Sequence, residues 1–224
     1  MKNLSIKEII EFRNKSDISK KTFALNLKID KEKNNIEKGG DYWISCLSAL
    51  SNVFKYNEND FIVDKIHELE EKSEESDYKR TKDMYDRNIS ILYKYQDFDF
   101  TKWIPENNFT IIKKHKSDFN LNIGGLQVKV LPHHVFTFEK DNKKIGAIWF
   151  IAKLGGYKKS ELAMFTDILY RYLNINFSKD YIISTEYCIA VDVVAMNDIN
   201  YQQIMKEDIP LHLDGTINEI KKLM

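Results

Sequence analysis

The fold is specified mainly by residues 124–173, which read GGLQVKVLPHHVFTFEKDNKKIGAIWFIAKLGGYKKSELAMFTDILYRYL. Apolar and polar residues alternate from Leu126 to Val130, which is typical of a half-buried strand. Residues Ile145 to Lys153 are nearly all apolar, which indicates a central strand buried on both faces. Gly155 and Gly156 then separate this strand from an amphipathic segment, so the run predicts strands followed by a helix.

The neighbouring segments complete the predicted core. Val135 to Glu139 should form a strand, followed by a hairpin turn at Asp141-Asn142. Ser160 to Leu173 has helical periodicity, and Glu186 to Met196 is predicted to be a second central strand. The core therefore has the order β-β-β-α-β.

The part of the chain before this core is predicted to be helical. Ser5 can cap a first helix, because Glu8 stands at capping-box spacing, and Asp41 can cap a later one. We therefore predict an α+β fold, with a helical region at residues 1–104 and a mixed sheet core at residues 105–224, forming one compact unit.

The order of the core elements, preceded by a helix, resembles the PD-(D/E)xK nuclease superfamily, which includes restriction endonucleases. In that family an acid opens the second core strand and an acid-x-Lys follows on the third, and the carboxylates hold Mg²⁺. LPHHVF at residues 131–136 resembles the first motif with histidine in place of the acid. IGAIWFIAK at residues 145–153 resembles the third strand, with Lys153 kept and Ile151 at the acidic position. The resemblance implies a restriction-endonuclease-like core that has lost ordinary metal chemistry.

Four residues are candidates for a site in such a core. Lys153, Asp192 and Glu139 are the candidate catalytic residues, and His134 is the candidate metal ligand. Each also has a structural interpretation. Lys153 can reach out of the strand end to water, Asp192 can be a satisfied buried acid, Glu139 can be a strand-end charge and His134 can be a turn residue.

Lysine pairs suggest where nucleic acid would bind. The candidates are Lys113, Lys114, Lys116, Lys158 and Lys159. If they gather on one edge of the sheet, they would contact phosphates. Lysines that protect strand edges from aggregation explain the same pattern.

Composition limits the class of protein. Lys+Arg and Asp+Glu balance at 34 each, which argues against binding nucleic acid by bulk charge alone. Cys46 and Cys188 lie in apolar runs without metal-ligand spacing, so we expect buried, reduced thiols. No stretch is apolar enough to span a bilayer and no secretory signal is seen, so a cytoplasmic location without a membrane partner is expected.

Three functions are consistent with these observations. The first is a nuclease-like module without ordinary metal catalysis, which binds nucleic acid or a protein partner, with prokaryotic defence as the setting that the resemblance suggests. The second is a divergent active nuclease, the only case in which a cofactor, Mg²⁺, is expected. The third is a protein-interaction subunit that forms a homodimer, as abundant aromatic residues suggest.

Overall fold

The computed structural model describes residues 3–28, 42–106, 109–112, 120–139 and 143–224. The described strands are β1 (Leu4–Ser5), β2 (Thr110–Ile111), β3 (Asn120–Ile123), β4 (Leu126–Lys129), β5 (His134–Phe138), β6 (Lys144–Ile151), β7 (Ile182–Asp192) and β8 (Asn197–Asn200). The described helices are α1 (Ile6–Arg13), α2 (Asp17–Lys28), α3 (Ile44–Tyr56), α4 (Asp60–Glu75), α5 (Lys79–Tyr95), α6 (Lys159–Phe177), α7 (Tyr201–Lys206) and α8 (Leu213–Leu223), with a 3₁₀ helix at Phe100–Trp103. The predicted α+β class is confirmed at this level.

The main sheet has five strands in the order β2-β5-β6-β7-β8. Strand β6 is antiparallel to β5 and parallel to β7, and α6 makes the crossover between the two parallel strands. Strand β8 returns antiparallel beside β7. The predictions that β6 and β7 are central strands are therefore confirmed.

Strand β6 is apolar from Ile145 to Ile151 because helices cover both faces of the sheet. Ile145, Ala147 and Ile151 belong to an apolar cluster with α6. The alternating residues Ile148 and Phe150 belong to a second cluster with α3, α4 and α5. The pleat sends successive side chains to opposite faces, so a strand between two helical layers needs no polar positions.

Strand β4 lies outside the main sheet, which corrects the predicted core order. It pairs in parallel with β1 and antiparallel with β3, forming a second, three-stranded sheet. The edge of the main sheet beside β5 is occupied instead by the short β2. Alternating polarity tells which face of a strand is buried, but the backbone of Leu126–Lys129 can pair with any neighbour that is brought within reach.

The predicted helical region contributes to both sides of the sheet. Ile9 and Phe12 of α1 share an apolar cluster with Leu213 and Ile217 of α8, on the α6 side. Helices α3, α4 and α5 pack on the opposite face. The described parts of residues 1–104 and 105–224 thus share both of their apolar cores.

Local signals at the start of the chain are confirmed where the structure describes them. The Ser5 hydroxyl accepts a hydrogen bond from the Glu8 N–H at 3.2 Å, and the Glu8 carboxylate accepts one from the Ser5 N–H at 2.9 Å. This is the capping box that the spacing predicts. The predicted cap at Asp41 and the hairpin at Asp141-Asn142 lie outside the described residues.

Gly146 generates the first testable prediction. A Cβ at this position would lie 2.6 Å from the Tyr187 carbonyl oxygen, where the register between β6 and β7 shifts. Because the obstacle is backbone, we expect Gly146→Ala to lower the free energy of unfolding by about 3 kcal/mol, measured by urea denaturation.

Gly215 in α8 provides the matched control. A Cβ there meets no atom within 4 Å, so Gly215→Ala should be neutral or should raise the free energy of unfolding by about 0.5–1 kcal/mol. Equal effects of the two substitutions would contradict the described packing of β6 on β7.

Candidate functional site

Lys153 lies just beyond β6 and its charge is paired. Its Nζ lies 3.2 Å from Glu161 Oε2 on α6 and 5.0 Å from the centre of the Tyr157 ring. Glu161 also accepts hydrogen bonds from Asn14 Nδ2 and from the Lys158 backbone N–H, each at 3.1 Å. Glu161 therefore connects the end of α1, the end of β6 and the first turn of α6.

Glu161 is buried but remains in the charged form at neutral pH. Burial by itself raises the pKa of this carboxyl, but the hydrogen bonds from Asn14, the Lys158 N–H and Lys153 outweigh it, so the pKa is lowered from the ordinary 4.5. Sequence reasoning missed Glu161, although its position three residues after Lys158 in the first turn of a helix is a typical capping position.

Asp192 ends β7 and is completely buried. Its Oδ2 accepts a hydrogen bond from the Tyr157 N–H at 2.5 Å, and its Oδ1 accepts from the Val194 and Ala195 N–H groups at 3.0 and 3.4 Å. Gly156, at φ +75°, makes this approach possible, because a Cβ there would lie 2.9 Å from Asp192 Oδ2. The carboxylate thus joins the loop after β6 to the loop after β7.

Glu139 lies at the opposite end of the sheet from Lys153 and Asp192. It follows β5 and forms an ion pair with Lys144 at the start of β6, whereas Ile151 at the other end of β6 pairs with Asp192. Strand β6 spans about 20 Å at roughly 3.3 Å per residue. Glu139 therefore cannot act on the same ligand atom as Asp192 without rearrangement of the sheet.

His134 packs on the side of the sheet covered by α3. Its Nε2 lies 2.7 Å from Ser51 Oγ and 2.9 Å from the Ser51 carbonyl oxygen, and its ring stacks on Phe54. A ring nitrogen so close to a carbonyl oxygen must carry the proton, because two lone pairs would repel each other. Nε2 is therefore a donor, and it offers no lone pair to a metal ion.

These placements do not fit the Mg²⁺ site that the resemblance implies. Magnesium needs several oxygen ligands in near-octahedral order. The structure brings Lys153 and Asp192 to one end of the sheet, but it leaves Glu139 and His134 elsewhere, and the apolar Ile151 lies beside Asp192. Within the described ranges, no three His, Cys, Asp or Glu side chains are grouped to hold a metal ion.

The predicted nucleic-acid lysines are only partly described. Lys158 and Lys159 are exposed at the start of α6, and Lys159 forms an ion pair with Glu207. Lys113, Lys114 and Lys116 lie outside the described residues. Their gathering on one sheet edge stays a prediction.

Two neighbouring recesses that the sequence did not reveal lie along the end of β6, between α1 and the start of α3, and Lys7 lines both; together they are treated as one cleft with two chambers. We call it the β6 cleft. Its first chamber, of about 470 Å³, is lined by residues that include Ile44, Leu131, His133, Trp149 and Phe165. Its second chamber, of about 500 Å³, is lined by residues that include Asn14, Trp43, Leu154 and Tyr157.

The charged groups of the β6 cleft are mostly positive. Lys7 lines both chambers, Lys129 lines the first, and Lys15 and Lys153 line the second. Glu11 is the acid among the lining residues, while Glu161 stands behind Lys153. A chain with no formal net charge thus concentrates cations at one cleft. Lys7 and Glu11 on α1 and Asn14 at its C-cap stand four and three residues apart, a helical spacing that could have indicated this polar face from the sequence.

In the part of the chain that the structure describes, none of the helices is both long and apolar enough to cross a bilayer.

The bonds of Asp192 generate the second prediction. Asp192→Ala would leave three backbone N–H groups without their acceptor, so we expect a loss of about 3 kcal/mol in the free energy of unfolding. Asp192→Asn keeps one acceptor oxygen but directs an NH₂ group at N–H donors, so it should also destabilise. Denaturant unfolding without added metal measures both, with the exposed Asp180→Asn as control.

A metal-binding role would give the opposite result for Asp192. A buried carboxylate that needs a metal ion to balance its charge destabilises the metal-free protein. Replacing it with a neutral side chain therefore raises the free energy of unfolding measured without metal. An Asp192→Asn variant more stable than the native chain would contradict the structural role.

Glu161 generates the third prediction, on pH. A lowered pKa contributes stability that is present above the unfolded value and is lost as the pH falls through the folded value. We expect Glu161→Gln to reduce the free energy of unfolding by about 1–3 kcal/mol at neutral pH, and the difference from the native chain to shrink below about pH 4.5. Thermal melts from pH 3 to 7 measure this, and the exposed Glu71→Gln should show no such trend. A pH-independent difference would contradict the described bonds.

Comparison with known proteins gives no relative from which to transfer a function. No family model, no curated protein and no solved structure matches this chain. The resemblance to PD-(D/E)xK nucleases stays a prediction.

Proposed function

We propose that this protein is a nuclease-like module that binds nucleic acid in the β6 cleft and does not carry out ordinary metal-dependent hydrolysis. The proposal rests on the difference between the acids and the lysines at the carboxyl ends of β6 and β7. There the buried Asp192 accepts hydrogen bonds from three backbone N–H groups and the buried Glu161 pairs with Lys153, while the adjoining cleft is lined by lysines.

The location of the cleft supports ligand binding. Strands β6 and β7 are parallel, and their carboxyl ends meet at this side of the sheet. Crevices outside the carboxyl ends of parallel strands are where layered α/β sheets commonly bind ligands. A protein with these elements therefore has its binding surface in the place that its topology favours.

The chemistry of the lining supports nucleic acid as the ligand. Ammonium groups contact phosphates without reading sequence. Trp43 and Trp149 are half-buried in the two chambers and offer aromatic surfaces to bases. Lysines beside aromatic rings are the combination that nucleic-acid grooves use.

A protein partner is the second candidate, favoured by exposed apolar residues at the same cleft. Ile44 is 61% exposed and Leu154 is 66% exposed, and Leu131 at 41% lies on the rim of the first chamber. Exposed apolar residues grouped at a cleft are typical of interaction sites. A homodimer or a heterologous complex would cover them, and light scattering over a concentration series measures the former.

Substitution of the cleft lysines generates the fourth prediction. We expect Lys7→Ala and Lys129→Ala each to weaken binding of a fluorescent oligonucleotide about 3- to 10-fold at low salt, and to reduce the slope of log affinity against log salt by about 1. Fluorescence anisotropy measures both quantities. Lys153 is not used, because its removal would also leave the Glu161 carboxylate without its cation.

The matched control is Lys179→Ala, which is exposed and lies just before β7, at the end of the sheet opposite Lys153. It should change neither the affinity nor the slope. Equal effects at Lys7 and Lys179, or cleavage of the oligonucleotide with millimolar Mg²⁺ or Mn²⁺ that requires Lys153, would contradict the proposed function.

A further inference from the structure

The shape of the β6 cleft narrows the class of ligand. Resting on the proposed function, we infer that the cleft binds single-stranded nucleic acid and takes unstacked bases into its two chambers. Chambers of about 470 and 500 Å³ are within the range that encloses small ligands. A duplex keeps its bases stacked inside the helix, so it has no free base to place in half-open recesses of this size, whereas the unstacked bases of a single strand can enter them.

The walls of the first chamber suit a flat apolar group. Trp149 and Phe165 both line it, and their rings are perpendicular with centres 5.4 Å apart. Phe165 is buried, so it fixes the orientation of the half-buried Trp149 ring. A ring held in this way stacks on a base without losing further side-chain freedom.

The second chamber is also lined by aromatic residues, Tyr157 and Trp43. Tyr157 packs edge to face on the same Phe165, with ring centres 5.2 Å apart. Trp43 stands on the opposite, α3 side, with its ring 4.8 Å from that of Tyr42. Aromatic residues therefore stand in both chambers, and Phe165 connects one set to the other.

Lysines line both chambers of the β6 cleft. Lys7 belongs to both linings, with Lys129 on the side of the first chamber and Lys153 on the side of the second. The first chamber is lined by Trp149, Phe150 and Ile151, and the second by the next three residues, Ala152, Lys153 and Leu154. The middle residues of these two triplets are about 10 Å apart along an extended chain. Successive bases of one strand can occupy the two chambers while Lys7 contacts the phosphate between them.

The test compares a single strand with a duplex of the same length. We expect oligo-dT of about 10 nucleotides to bind at least about tenfold more tightly than the duplex oligo-dT/oligo-dA, measured by anisotropy at one salt concentration. Binding of the single strand should also quench tryptophan fluorescence, since two of the three tryptophans line the cleft.

Two variants assign the quenching to the cleft. Trp103 is buried and lines neither chamber, so Trp103→Phe should keep the quenching on addition of oligo-dT. The double variant Trp43→Phe/Trp149→Phe retains only Trp103 and should lose the quenching, while its affinity falls by no more than about 3-fold because phenylalanine still stacks on bases. Thermal melts of both variants establish that they fold.

The outcomes separate this inference from the proposed function. Tighter binding of the single strand, with quenching only where Trp43 and Trp149 are present, supports both. Duplex binding that is equally tight and depends on Lys7 overturns the single-strand inference and leaves the proposed function standing. Binding of the single strand without quenching in the native chain also overturns the inference. Absence of binding to either probe overturns both.

Discussion

The carboxylate of Asp192 is the interaction on which this end of the molecule depends. It is buried at the end of β7 and accepts hydrogen bonds from the N–H groups of Tyr157, Val194 and Ala195. A buried charge is tolerated only when it is well satisfied, and backbone N–H groups satisfy it without a counter-ion. By holding the loop after β6 against the loop after β7, Asp192 shapes the second chamber of the β6 cleft.

Glu161 also joins separate segments of the chain through hydrogen bonds to its carboxylate. It accepts hydrogen bonds from Asn14, Lys153 and the Lys158 N–H, and so joins α1 to the sheet and to α6. Both acids near Lys153 are thereby used in positioning, and neither projects from the cleft as an unsatisfied oxygen ligand. Apart from Glu11, the charged and aromatic groups that face a ligand are ammonium groups and aromatic rings, a surface suited to recognising an anion with flat apolar groups rather than to holding a divalent cation.

The sequence predicted the elements whose pattern is local. The unbroken apolar run of β6 indicated burial on both faces, and the structure places it between two helical layers. The Ser5 and Glu8 capping box formed as its spacing requires, because both partners belong to one helical turn. The partner of β4 was not predictable in this way, since backbone groups of a strand pair with whichever neighbour the fold presents, and that neighbour, β1, lies more than 100 residues earlier in the chain.

For the candidate site too, some features follow from the sequence and others only from the tertiary structure. From the sequence alone it follows that Lys153 ends a buried strand, that Asp192 needs a partner and that Ile151 cannot hold a metal ion, because each statement depends on residue type and on the strand around it. Only the tertiary structure decided that Glu139 stands at the far end of the sheet, that His134 turns toward Ser51, and that Lys7 lines one chamber with Lys129 and the other with Lys153. The physical reason is that a cleft is made by segments distant in sequence, whose relative positions follow from packing the two apolar cores and not from any local pattern of residues.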